Sequence, residues 1–584
     1  MRRGISPFYA ASVQFNPRLN RRDENIEALY EVVRQAAEGG AKLIVTPEMA
    51  TTGYQYEDRQ AISPFVDTIP GIATRRLGEI AERYGAYIVL GMAEVEQETG
   101  LFYNSAALIG PEGVLGKYRK LHLWATEEPW ACPGDLGVPV FSTAIGNIAL
   151  IICMDAVYFE TARLAALQGA DILAFPTNSS GQTVTLLQGR ARSNGLYIVS
   201  ANRSNTEKEY HMVGGSALWS PRGELLDATP YRAEPAQGMD DPSWVMARID
   251  PALYENPAKQ RLQERRPALY TDLMLHRGSW GFPPSPSRSI AAAALQYTPC
   301  IGDKGANLAK IEGLLEETAF PETGERLIVL PELSLTGPVS HLPKEQIRRW
   351  AETEAGSTLR EMGRLARRYR ASVVFGMIEK REEALYNAAV LLNPAGEIEG
   401  IYRKAHLTAD ERRWAKPGDE LPVFSTKELG RVGLMLGYDA LFPEVAGVMA
   451  VNRADLLVIP AVFREEMGCE VRRYPGQDPE PDSAEGMIPW DTLARDVQAP
   501  VVVAQFAGHP LQGRSAVYTL RQGGESTRVQ AASRDREEVL LANFSTAREE
   551  GWFNQVKLNQ TRRTAFYKPL VLPAPAALVG SPNG

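Results

Sequence analysis

Cysteine is scarce, with only Cys132, Cys153, Cys300 and Cys469 in 584 residues. So few thiols in so long a chain exclude a disulfide framework, and their spacing does not suit a metal site. The six histidines are scattered, which removes the clustered ligands needed for metal-dependent phosphoester hydrolysis. No run of about 18 apolar residues occurs, so no transmembrane helix is expected. Charge of one sign is missing too: 63 Lys and Arg stand against 71 Asp and Glu, a net charge of -8 without a long basic run. That balance gives no electrostatic footprint for nucleic acid or an anionic membrane. The absences leave a soluble protein of the reducing cytoplasm, with a small-molecule partner and with neither metal nor organic cofactor.

What the chain does have is length and a repeat. At 584 residues it exceeds what one hydrophobic core supports, so at least two domains are expected. A constellation of Glu, Lys and Cys occurs twice at one offset: Glu48 and Glu332 (48 + 284), Lys120 and Lys404 (120 + 284), Cys153 and Gly437 (153 + 284). The same shift carries Pro47 to Pro331, Gly53 to Gly337, His122 to His406, Trp130 to Trp414, Asp155 to Asp439 and Glu160 to Glu444. A duplicated domain follows, in which one copy kept a thiol and the other lost it. The expected division is 1–275 for the first domain, 276–288 for a Pro/Gly/Ser linker and 289–575 for the second, catalytically impaired domain. Beyond Pro176 and Pro460 the register shifts from 284 to 303 (Arg192, Arg495), a gain of 19 residues in the second copy. The segment 464–489 holds this extra length and reads as a long surface loop rather than a lid.

Each half alternates short apolar strands with amphipathic helices, the pattern of layered sheets covered by helices. The basic start Met1-Arg2-Arg3 precedes an apolar stretch broken by Gln14 and Asn16. It reads as a first strand rather than a signal peptide, because its repeat counterpart lies in mid-chain. Strands are predicted over 10–15, 41–45, 86–91 and 147–152, a hairpin over 105–118, and helices over 23–38, 74–84 and 159–168. Glu48 then stands just past a strand, Lys120 just past the hairpin, and Cys153 on a strand-to-helix turn.

A thiol becomes a nucleophile when a base removes its proton during attack, and Glu48 suits that task. A nearby ammonium stabilises the developing charge, which suits Lys120. Singly, each residue has a bland reading: a buried structural cysteine, a surface lysine, a turn glutamate. Recurrence of Glu332 and Lys404 in their own local contexts weakens those readings.

Pro47-Glu48, Tyr118-Arg119-Lys120-Leu121-His122-Leu123 and Cys153-Met154-Asp155 resemble the three signatures of the nitrilase, or carbon-nitrogen hydrolase, superfamily. Trp130 with Pro133-Gly134-Asp135, Ala191-Arg192-Ser193-Asn194 and Gly214-Gly215-Ser216 add to the likeness, which spans the chain once per half. The resemblance implies an α+β fold, a four-layer αββα sandwich in two tandem copies related as a pseudo-dimer, with further homo-oligomers possible. It implies Cys153 as nucleophile, Glu48 as general base, Lys120 as oxyanion stabiliser helped by the Met154 backbone N–H, and Glu127, seven residues beyond the lysine, as a supporting carboxylate. Glu332, Lys404, Glu411 and Gly437 form the degenerate second site, read as residual ancestry plus a charge-compensated cluster in preference to a ligand pocket. The implied activity is amidase-type hydrolysis of a small-molecule, non-peptide carbon-nitrogen bond through a Cys thioester. A nitrilase or an N-carbamoyl amide hydrolase is the alternative, and a non-catalytic binding or scaffold protein the alternative of another class. Membrane acyltransfer and glutamine-fed synthetases are disfavoured, since spanning helices and a Gly-rich nucleotide-binding segment are missing. Where relatives often carry Trp after Pro-x-Asn, this chain has Ser179 after Pro176-Thr177-Asn178, so the acyl pocket is undefined.

Overall fold

The computed structural model describes residues 4–235, 242–276, 286–464, 467–521, 526–546 and 553–573. Most of the expected linker, 277–285, lies outside the described residues. Among those described, one unit comprises 4–264, 472–479 and 561–573, and the other 265–471 and 480–560.

In the first unit the apolar runs become β1 (Phe8–Gln14), β2 (Ala41–Val45), β3 (Tyr87–Val95), β4 (Phe102–Gly110), β5 (Gly113–Arg119), β6 (Val140–Thr143), β7 (Gly146–Leu150), β8 (Ile172–Pro176) and β9 (Tyr197–Ala201). A two-residue ribbon follows, β10 (Thr206–Glu207) with β11 (Tyr210–His211), then β12 (Ala217–Trp219), β13 (Leu225–Ala228) and β14 (Ser243–Ile249). Two six-stranded sheets result, in the orders β14-β1-β2-β3-β4-β5 and β13-β12-β9-β8-β7-β6. Strands β1, β2 and β3 are mutually parallel in the first sheet, and β7, β8 and β9 in the second. The Ser12 hydroxyl on β1 donates to the Ser200 carbonyl on β9, so the sheets face each other.

Helices cover the outer faces because their apolar residues recur at helical spacing. In the helix Arg22–Glu38, Ile26, Leu29, Val32 and Val33 are buried. In Ile72–Tyr84, Leu77, Ile80 and Ala81 are buried, and Gly85 ends the helix in the left-handed region at φ 56°. Each such Leu, Ile or Val contributes roughly 1.5–3 kcal/mol. Helix Leu187–Asn194 packs on β9 and β12 of the second sheet, and helix Phe159–Leu167 packs against it. The four layers are therefore αββα. The second unit repeats them, with one sheet running from Ile398–Arg403 at one edge to Glu538–Ser545 at the other, and a second from Val423–Thr426 to Thr527–Ala531. Among the described residues, no helix is long and apolar enough to cross a membrane.

The units differ from the contiguous stretches 1–275 and 289–575 in three places. Within the first unit, Arg562 Nε pairs with the buried Glu160 carboxylate at 3.0 Å. Within the second, Arg265 pairs with the buried Glu444. Each unit thus includes the tail of the other copy, and a buried carboxylate explains why the tail is held: without a cation it is expensive to keep charged. The insertion 464–489 is also divided, with 465–466 outside the described residues. The Ile488 N–H donates to Cys469 O and the Val471 N–H to Gly486 O within the second unit. Residues 472–479 pack within the first, where Tyr474 is only 3% exposed. The expected surface loop is therefore partly core.

Candidate active site

Parallel strands bring the sequence-derived residues to one rim. Glu48 follows β2 in a turn that places Met49 at φ 54°. A Cβ at Gly91 on β3 would overlap the Pro47 carbonyl, so glycine there lets the Glu48 turn lie against the sheet. Lys120 directly follows β5. Strand β7 ends at Leu150, two residues earlier than the apolar run, and Cys153 opens a 3-10 turn, Cys153–Val157. There the thiol residue sits at φ 43°, in the left-handed region that costs a non-glycine residue of order 1 kcal/mol or more. Asp155 holds this turn to the Lys120 segment. It accepts the Ile152 N–H (3.0 Å) and the Tyr118 hydroxyl (2.6 Å) on one oxygen, and the His122 N–H (3.0 Å) on the other.

The three side chains meet, buried. Lys120 Nζ donates to Glu48 Oε1 and to Glu127 Oε1, both at 2.7 Å. Asn104 Nδ2 donates to the same two oxygens at 2.7 Å. Glu127 Oε2 accepts the Trp124 N–H at 2.8 Å. Glu48 Oε2 accepts the Asn178 N–H at 2.7 Å, and the Asn178 carbonyl is 3.8 Å from Cys153 Sγ. Met154, whose N–H belongs to the first turn after the thiol, is buried. Among the described residues, no group of three His, Cys, Asp or Glu side chains is arranged to hold a metal ion.

Electrostatics follow from burial. Desolvation pushes the Glu48 carboxyl up to about 7, Lys120 pulls it back down, and Glu127 raises it further. Burial alone would lower Lys120; the Glu127 and Glu48 carboxylates override it and hold the ammonium above the ordinary lysine range. Burial and the Glu48 charge push the Cys153 thiol up to about 12, while Lys120 and the Thr177 hydroxyl work the other way. The resting pair is a neutral thiol beside a carboxyl poised near neutrality. Such a pair favours proton transfer during attack over a standing thiolate.

The second unit retains this lattice without sulfur. Lys404 Nζ donates to Glu332 Oε1 at 2.6 Å and to Glu411 Oε1 at 2.7 Å, and Asn387 Nδ2 reaches the same oxygens. Burial lifts Glu332 to about 7 as well. A Cβ placed on Gly437 would meet Glu332 Oε2 at 3.1 Å, Val462 N at 3.2 Å and Phe463 Cδ2 at 3.3 Å. Phe463 and Trp490 are buried with ring centroids 4.6 Å apart, and Gly437 lies outside the left-handed region that Cys153 occupies. A side chain at 437 would therefore crowd the Phe463 ring and the Glu332 carboxylate. Gly437→Cys is accordingly expected to leave the second site unreactive, measured as no added turnover in a Cys153→Ala background and no alkylation of Cys at 437.

Sequence reasoning missed Asn104, which joins both carboxylates to the lysine. Its counterpart Asn387 falls at offset 283 (104 + 283), one residue out of the repeat register, so a search at 284 passes over it. The repeated Tyr-Asn pair, Tyr103-Asn104 and Tyr386-Asn387, was the available signal. Tyr54 was also missed; burial and then the Glu127 and Glu48 charges raise its phenol well above the usual range. Ser179 caps its own loop: its Oγ accepts the N–H groups of Gly181 (3.1 Å) and Thr183 (3.3 Å).

Both copies resemble known proteins. A family model described as carbon-nitrogen hydrolase matches residues 9–253 and 291–545. A nitrilase from Pyrococcus abyssi is 38% identical over 218 residues, which cover 37% of this chain and 82% of that protein. An omega-amidase from Xenopus tropicalis is 29% identical (35% and 78% covered), and a formamidase from Bacillus cereus 32% identical (38% and 70% covered). Among solved structures, a double mutant of the amidase from Nesterenkonia sp. AN1 in complex with acrylamide aligns over 45% of this chain and 98% of its own, at 25% identity and a TM-score of 0.37. With both copies matched, and with a Glu, Lys and Cys site assembled in the first, the chain belongs to the carbon-nitrogen hydrolase family.

Proposed function

We propose that the first unit hydrolyses a small-molecule amide, with Cys153 as nucleophile, Glu48 as general base and acid, and Lys120 as the electrostatic stabiliser. The observation that carries this reading is the buried contact of Lys120 with Glu48 at 2.7 Å beside a thiol that both groups influence. Sγ attacks the carbonyl carbon as Glu48 takes its proton. Negative charge moves to the carbonyl oxygen, where Lys120 and the Met154 N–H oppose it in a dry site. Collapse of the adduct breaks the carbon-nitrogen bond, and Glu48 returns the proton to the leaving nitrogen, giving ammonia and a thioester. Water then attacks the thioester as Glu48 takes its proton, and the departing sulfur recovers it. Glu127, held by Lys120, Asn104 and Trp124 N–H, keeps the ammonium aimed.

The second unit, with Gly437 beside Glu332, Lys404 and Glu411, has no nucleophile and does not turn over substrate. The four cysteines are free thiols, which supports a reducing cytoplasmic setting.

The test is an ammonia-release screen over amides, nitriles and carbamoyl compounds, followed by a pH profile on the best substrate. The base must be deprotonated to act, so kcat/KM is expected to rise tenfold per pH unit below about 7 and level off above it. Lys120 stays charged well past that range, so no loss is expected below pH 9. A profile that falls as pH rises through 7 would contradict the role given to Glu48.

A further inference from the structure

The segment 472–479 belongs to the second copy in chain order and to the first unit in space. Its anchor is Tyr474, buried between exposed neighbours. The Tyr474 hydroxyl donates to Val184 O at 2.8 Å, and its ring lies edge-on to Trp219 (5.4 Å) and stacked with Tyr231 (5.9 Å). The Tyr231 N–H donates to Pro475 O at 2.8 Å. Gln188 grips the backbone of Arg472 in both directions, donating to its carbonyl (3.2 Å) and accepting its N–H (2.9 Å). A tight turn closes the strap, with the Gln477 N–H donating to Tyr474 O at 3.1 Å and Gly476 at φ 76°. A Cβ on Gly476 would overlap the Arg232 guanidinium.

Val184 and Gln188 end a stretch of chain whose start lies beside the thiol. Thr177 and Asn178 stand at its start, and the hydroxyls of Thr177 and Thr183 lie 3.2 Å apart across it. The Asn178 backbone touches both reacting groups, through its N–H to Glu48 and its carbonyl to Sγ. Its carboxamide is buried, with neither Oδ1 nor Nδ2 hydrogen-bonded within the described protein. One donor and one acceptor are thus held next to the nucleophile, on a stretch whose far end is tied to the strap.

We propose that residues 472–479 are a positioning element of the first unit's site, through which Tyr474 fixes the 177–188 stretch and with it an Asn178 carboxamide that favours acyl groups able to give and take a hydrogen bond. The selectivity part rests on the amide-hydrolase reading; the positioning part does not. This is the contribution of the second copy to the reaction.

The experiment uses the full chain carrying Tyr474→Phe, Tyr474→Ala or Gly476→Ala. Alkylation of Cys153 by iodoacetamide, read by peptide mass, needs no turnover. Below the melting range, Tyr474→Ala and Gly476→Ala are expected to slow it about tenfold, with Tyr474→Phe between them and wild type. The ratio of kcat/KM for glycolamide over propionamide is expected to fall in the same order. Variants that melt earlier but keep the wild-type labelling rate and amide ratio would overturn the proposal, since a merely structural strap moves only the melting point. If Tyr474→Ala does not fold, Tyr474→Phe decides, because it removes a single hydroxyl. Should wild type hydrolyse no amide, the labelling rates still decide the positioning role while the assigned reaction fails.

Discussion

Cys153→Ala is expected to cut ammonia release by about 10⁴-fold or more, while Gly437→Ala leaves it at the wild-type level. The size follows from the reaction path: every productive step passes through a bond to Sγ, and no other thiol belongs to the Glu48 and Lys120 cluster. Cys132 donates its N–H to Phe102 O at the start of β4, and Cys469 lies in the inserted segment. The substitution leaves the Glu48, Lys120, Asn104 and Glu127 lattice intact, so the fold is expected to survive with a melting point near that of the parent. Release that persists in Cys153→Ala would overturn the mechanism, and a persistent burst of covalent labelling would show where the true nucleophile lies.

Lys120→Ala and Lys404→Ala are expected to destabilise their own units by about 3–5 kcal/mol each, because each removes the one ammonium between two buried carboxylates. The consequences for chemistry diverge. Lys120→Ala also loses the charge that opposes the oxyanion, costing about 10²–10³-fold in kcat at temperatures where the protein remains folded. Lys404→Ala keeps full turnover until its unit melts. Denaturant unfolding run beside turnover separates the two. A Lys404→Ala protein as stable as wild type would remove the structural reason for the conserved charges of the second copy. A Lys120→Ala protein with normal kcat would remove the catalytic reason in the first.

The elements that carry the site were readable because their signals are local. Helical periodicity at Ile26, Leu29, Val32 and Val33, and alternation of strands with turns, fixed element type and approximate ends. Boundaries moved where a special backbone intervened: the apolar run reaches Ile152, yet β7 stops at Leu150 so that Cys153 can turn at φ 43°. Asn104 escaped notice because a one-residue difference between the hairpins hides it from a fixed offset. The roles of Asp155 and Asn178 were hidden for another reason. Asp155 acts on the N–H groups of Ile152 and His122, and Asn178 acts through its own N–H and carbonyl; backbone groups carry no residue-type signature.

By itself the sequence determined that this is a duplicated chain of layered strands and helices with one thiol-bearing copy and one without, since a repeat offset and a missing sulfur are facts of composition and spacing. Only the tertiary structure decided which parts of the chain complete each unit. Arg562 beside Glu160, Arg265 beside Glu444 and Tyr474 beside Val184 are pairings across 402, 179 and 290 residues. Buried carboxylates and a buried phenol must find partners, but nothing in their local sequence says from which copy the partner comes. The same holds for Phe463, whose ring stands against Gly437 on one side and Trp490 on the other.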